Sequence, residues 1–249
     1  MHIDIGELQS FYDSPLGQVS RRFIRQRLRE VWPSVRGQSV LGLGYATPYL
    51  RPFQAEAERV IALMPAQLGV APWPAQPTNL AALADEGALP LPDSSVDRVI
   101  LAHVLETSEG LRPLLRQIWR VLTPAGRIVV VAANRLSLWA QFEATPFAHG
   151  RPFSRLQLER LLTDAMFTPT ASTTCLHMPP FGMGYVVRNG LRWERMGRRL
   201  WPQLAGVHLT EATKEVMGLA PDAVRRRVPA KPVLLTKGAA TARKSLPRP

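Results

Sequence analysis

Leu89-Pro90-Leu91-Pro92-Asp93-Ser94-Ser95-Val96-Asp97-Arg98-Val99-Ile100-Leu101-Ala102-His103-Val104-Leu105-Glu106 is the stretch on which the reading of this chain turns. Pro92 to Ser95 is a polar turn, Val96 to Leu101 a short apolar run of the kind buried inside a sheet, and His103 and Glu106 stand in the loop after it. Downstream, Gly110 to Leu122 has helical spacing, Thr123-Pro124-Ala125-Gly126 is a turn, and Arg127 to Ala133 is a β-branched strand. Upstream, Ser39 to Leu43 is another apolar strand, broken by a small-residue turn at Gly44. A helix from Tyr49 to Ala57 is expected after Pro48, then a second strand, Arg59 to Met64, and a short strand or turn over Asn79 to Ala84. Strands alternating with helices at this spacing predict an α/β fold: a mostly parallel, doubly wound sheet with helices on both faces.

Further out, Met1 to Asp13 reads as a strap or short helix. Ser14-Pro15 has the form of an N-cap followed by proline in the first turn, opening a helix over Leu16 to Val31. Leu16, Val19, Phe23, Ile24, Leu28 and Val31 give that helix its apolar stripe, and Arg21, Arg22, Arg25, Arg27 and Arg29 its basic face. After Ala133 the pattern predicts a helix over Ser154 to Ala165, a strand near Thr168 to Leu176, a helix over Gly190 to Leu200 and a last strand over Val207 to Thr213. The division expected is an N-terminal strap and helix (1–34), a main domain (35–217) and a basic tail (218–249). Within the tail, Pro232 to Thr236 has the makings of an edge strand and the residues beyond Lys237 are expected to be disordered.

Composition bounds the function. The 249 residues suffice for one sizeable core, and no apolar run approaches the eighteen or so residues needed to span a bilayer. Cys175 is the only cysteine, which excludes a disulfide framework and a cysteine metal site and fits a cytoplasmic protein. No metal cluster, nucleophile elbow or phosphate loop is visible. The net charge of +12 favours an anionic partner such as RNA, a ribosomal surface or acidic lipid, with arginine-rich composition as the plain alternative.

Taken in order, the strand and Gly44 turn, LPLPDSSVDRV, HVLE and WRVLTPAGRIVVV resemble the class I S-adenosylmethionine-dependent methyltransferases, specifically the type 11 methyltransferase domain, over about Val35 to Ala133. The resemblance implies a seven-stranded, mostly parallel Rossmann-like sheet with a late antiparallel hairpin. It also implies S-adenosyl-L-methionine as cofactor and methyl transfer to an acceptor that the sequence does not name. Carried over residue by residue, Leu41 to Ala46, with Gly42, Gly44, Tyr45 and Ala46, form the loop under the methionine part. Met64 and Pro65 lie at the ribose, Asp85 at the adenine amino group, and Leu101 to His103 at the floor near the sulfonium. Two positions depart from the family pattern. Gly42 stands where an acid orients the methionine amine, and Met64 stands where an acid grips the ribose hydroxyls. Gln67, Tyr45 and Tyr49 are the neutral groups nearest in sequence to replace it, and an acid at position 64 is expected to tighten binding.

The segment Asn134 to Ser154, aromatic and basic, lies where such enzymes often bind acceptors, and His103 and His149 are the candidates for a general base. Two functions remain open: an active methyltransferase, or a methyltransferase-like binding module of little activity associated with RNA or the ribosome. A nicotinamide-dependent dehydrogenase shares the first turn but not the Leu89–Glu106 block.

Overall fold

The computed structural model describes residues 3–74 and 78–216; the expectations for the tail, including Arg225 to Arg227 and the Pro232–Thr236 strand, lie outside them. Seven strands form one sheet in the order β3-β2-β1-β4-β5-β7-β6. They are β1 (Ser39–Gly44), β2 (Arg59–Pro65), β3 (Ala81–Ala84), β4 (Val96–Ala102), β5 (Leu122–Ala133), β6 (Phe167–Cys175) and β7 (Val207–Lys214). The first five are parallel, and β7 runs antiparallel between β5 and β6. The doubly wound α/β sheet and its late antiparallel hairpin are therefore as expected.

Alternation along each strand sorts the core into two layers. Leu41, Leu43, Val99, Leu101, Ile128 and Val130 share one cluster with Leu114, Leu115 and Ile118 of α4 (Leu111–Val121) and Leu158 and Leu162 of α5 (Arg155–Asp164). Val40, Ile100, Ala102, Val129 and Val131 face the other cluster, which takes in α1 (Ile5–Asp13) and α2 (Pro15–Val31). Asp4 and Glu7 form a capping box at the start of α1, and Ser14 caps α2 ahead of Pro15. The corner between the two helices is so tight that a Cβ on Gly17 would lie 1.9 Å from the Phe11 carbonyl oxygen.

Two elements differ from expectation, the first being Thr123 to Gly126, expected as a turn and found in the first part of β5. The helix predicted over Tyr49 to Ala57 is a single turn, α3 (Thr47–Leu50), followed by a 3-10 turn, Arg51–Phe53. Proline at 52 has no N–H to give the Pro48 carbonyl, so the α-helix cannot continue. Arg25 Nε donates to the Pro48 oxygen instead, and Arg29 donates to the Pro52 oxygen at 2.8 Å. These two arginines are thus structural partners of the α3 segment rather than members of a freely solvated face. Two short helices, α6 (Gly184–Arg188) and α7 (Gly190–Leu200), follow β6. No helix among the described residues is long and apolar enough to cross a membrane.

Candidate active site

In open, doubly wound α/β sheets ligands bind outside the carboxyl ends of the strands at the point where the strand order reverses, which in this sheet lies between β1 and β4. Gly44 ends β1 with φ +80°, and an added Cβ would sit 2.2 Å from the Ala102 carbonyl oxygen, so only glycine permits this approach. Tyr45 N–H then donates to the same Ala102 oxygen at 2.9 Å, fastening the turn to the end of β4. His103, next in the chain, adopts φ 55°, a conformation that costs a non-glycine residue energy and recurs at functional sites.

Gly42, Gly44, Tyr45, Ala46, Met64, Pro65, Leu101 and His103 come together here, all buried, whereas Asp85 is exposed at the end of β3. Between the Gly44 turn and His103 stands Tyr12, a residue the sequence did not single out. Its ring lies 5.6 Å from Tyr45, 6.0 Å from Tyr49 and 5.8 Å from His103. Its hydroxyl bonds to the Tyr49 hydroxyl and, at 2.7 Å, to His103 Nε2. Burial, with a smaller push from His149, lowers the His103 pKa to about 3, so the imidazole is neutral and its Nε2 accepts from Tyr12 O–H. Tyr12 can then accept from Tyr49, and burial drives both phenols well above their ordinary range. Phe147 packs 5.1 Å from the His103 ring and 6.2 Å from Phe11. His149 is not part of this chain: its Nε2 lies 3.1 Å from the Glu143 carbonyl oxygen, at the edge of an open groove. That groove, about 1070 Å³, runs between α1 and the Glu143–Gly150 segment.

Glu106 is the second residue whose place sequence reasoning missed. It caps no helix. Its Oε1 accepts from Ala133 N–H at 2.7 Å, at the end of β5, while Oε2 is buried without a partner. Burial raises its pKa to about 7, opposed by the Ala133 bond. Gly150 (φ +79°) covers it closely enough that a Cβ would lie 2.3 Å from the Glu106 carbonyl oxygen. Glu106 is thus a buried carboxyl with a raised pKa and one unpartnered oxygen at the end of β5.

The fit to S-adenosylmethionine divides along its length. Asp85, expected at the adenine end, borders an open pocket of about 300 Å³ with Ala66, Gln67, Leu83 and Ala84. Its Oδ1 accepts only from the Gly87 backbone at 2.7 Å. At the methionine end the residues do not fit the cofactor as they stand. A Cβ on Gly42 would meet Leu50 at 2.6 Å, leaving no room for the family's acid, and Met64 is 0% exposed within the core. The expected gain from an acid at 64 therefore falls away, since that carboxylate would be buried unpaired. Tyr45 and Tyr49, expected as ribose partners, are packed against Tyr12 instead.

Residues 41–130 match the family model described as "Methyltransferase domain". A "Probable S-adenosylmethionine-dependent methyltransferase" of Mycobacterium tuberculosis is 34% identical over 98 residues, which cover 39% of this chain and 35% of that protein's length. The match thus spans only about a third of the curated relative. Among solved structures, a SAM-dependent methyltransferase from Archaeoglobus fulgidus superposes with a TM-score of 0.56 at 19% identity, covering 78% of this chain and 94% of that one. A chain of the Haloferax volcanii complex between the Trm112 methyltransferase activator and a methyltransferase gives 0.61 at 16% identity, covering 87% of this chain and 100% of that one. Residues 41–130 therefore match the methyltransferase-domain family model, and the sheet that holds them has the fold of S-adenosylmethionine-dependent methyltransferases of known structure.

Proposed function

We propose that this protein is an S-adenosylmethionine-dependent methyltransferase whose cofactor cleft is shut, in the conformation described, by α1. The observation that carries the reading is where the family match falls: residues 41–130 include every strand end that converges on Gly44, Asp85 and His103. The open pocket at Asp85 receives the adenine end, and cofactor access to the methionine end requires Tyr12 to withdraw. Methyl transfer depends mainly on in-line positioning, with a base needed only where the acceptor must lose a proton. Glu106 is the residue suited to take that proton. The single cysteine, buried Cys175, suits a reducing cytoplasm.

Calorimetry of the full chain with S-adenosylmethionine and S-adenosylhomocysteine tests the reading. Binding is expected in the tens to hundreds of micromolar, because neutral groups replace two carboxylates. Asp85→Ala should weaken it at least about tenfold, the loss expected for a hydrogen bond to a charged group. Asp85 is exposed, so the variant folds normally. No heat at millimolar cofactor would remove the enzyme reading.

The filled methionine end favours one other reading, a methyltransferase-like binding module. Its RNA form would draw on the basic face of α2, where Arg21, Arg22 and Arg25 stand. Arg25 is half-buried and bonded to Pro48, which leaves Arg21 and Arg22 of that helix to meet phosphates.

A further inference from the structure

Large apolar side chains exposed at the surface are not spread evenly over this molecule. Of the fourteen among the described residues, seven fall within residues 181–204: Phe181, Met183, Tyr185, Leu191, Met196, Leu200 and Leu204. The most exposed are Leu200 at 66%, Tyr185 at 65% and Met183 at 59%. The same span contains five arginines, no lysine and one acidic residue, Glu194. Glu194 is buried, its carboxylate turned inward to the His177 and Leu176 backbone amides at 2.7 and 3.2 Å, so it neutralises nothing at the surface. Gly190, Glu194 and Gly197 form the inner face of α7, while Arg192, Arg195 and Arg199 stand on its outer face beside Met196 and Leu200. The patch continues past the helices. Phe181 packs edge-to-face on Phe142 at 5.7 Å, with both rings exposed, and Phe142 adjoins Glu143 on the rim of the groove beside α1.

We propose that this face, residues 181–204 with Phe142, docks on an anionic lipid bilayer. Apolar side chains standing clear of the protein and interleaved with arginines are the composition of an interfacial helix: the apolar groups enter the acyl boundary and the guanidinium groups stay at the headgroups. Each arginine near an anionic surface adds to the attraction, and five act here without an exposed acid to oppose them. A second copy of the chain is a poor occupant, because the two like-charged faces would repel. A nucleic acid would use the arginines but leave the exposed apolar side chains beside them, such as Met196 and Leu200, against phosphate and water.

The test is partition of the full chain onto sedimentable vesicles of phosphatidylcholine alone or with about a third phosphatidylglycerol. Binding to the anionic vesicles should exceed that to phosphatidylcholine at least about tenfold. The double variant Met183→Glu, Leu200→Glu should reduce it by about as much, and so should Arg192→Gln with Arg199→Gln; all four side chains are exposed, and thermal melting checks that the variants fold. Three results overturn the proposal: no partition, partition that the Met183/Leu200 variant does not change, or binding of a labelled single-stranded RNA that this same variant abolishes.

Discussion

Tyr12→Ala is expected to bind S-adenosylmethionine at least about tenfold more tightly than the wild-type protein, while being less stable by about 3–5 kcal/mol. The two effects have one origin. Tyr12 is 2% exposed, its ring is shared among Tyr45, Tyr49 and His103, and its hydroxyl joins two other buried polar groups. Deleting it removes packing and leaves the Tyr49 hydroxyl and His103 Nε2 without their partner, each of which costs stability. The same deletion vacates the space between the Gly44 turn and His103. A ligand excluded by a closed state binds with its intrinsic affinity reduced by the fraction of molecules that are open. Tyr12→Phe should stay shut, since the ring remains, and Tyr12→Leu offers a milder truncation should the alanine variant unfold. Calorimetry beside thermal melting reads both quantities. A folded Tyr12→Ala or Tyr12→Leu protein with wild-type or weaker affinity would show that Tyr12 does not bar the cleft.

The second large effect concerns Glu106→Gln. The carboxyl's pKa is raised from 4.5 to about 7 by burial, so the folded state holds its proton more tightly than the unfolded chain does. Between those values the native state binds the extra proton, and stability falls as pH rises through that window. Above about pH 7 the full penalty of a buried carboxylate is present. Glutamine accepts from Ala133 N–H equally well and never ionises. At pH 8 the variant should therefore be more stable than wild type by about 3 kcal/mol, from the shift and its energy per pH unit. The advantage should shrink toward zero near pH 4.5, as denaturant melts at several pH values would record. A difference that is the same at every pH would mean that Glu106 does not titrate as described.

The sheet was legible because its central strands are buried on both faces, which writes them as apolar runs: Val99 to Ala102 and the second half of Leu122 to Ala133 show nothing else. Ser14-Pro15 was legible because capping is local. The α3 segment misled because the apolar pattern outlasts the helix; the decisive residue was Pro52, whose effect falls on a carbonyl four positions earlier. The site was legible only where backbone geometry fixes it, as at Gly44. Tyr12 carried no signal of its own, since its two hydrogen-bond partners are 37 and 91 residues away. Glu106 showed in the sequence only as a loop residue, and only the packing that brings the end of β5 alongside reveals Ala133 as its partner. Gly42 and Met64 were visible as departures from a pattern, but that their surroundings have closed over them is a fact of packing.

The corner at Ser14, where α1 meets α2, also has a consequence in time. Helix α1 is held at its start by Ile5 N–H on the Leu68 carbonyl at 3.1 Å and near its end by Tyr12, and α2 is anchored along its length in the core. With the cleft shut by α1, as proposed, entry would wait on release of the short helix from both holds. In a stopped-flow experiment the observed association rate should rise with cofactor concentration and level off at the rate of that release, a ceiling set by the protein alone. A rate that climbs in proportion to concentration without limit would place α1 outside the route of entry.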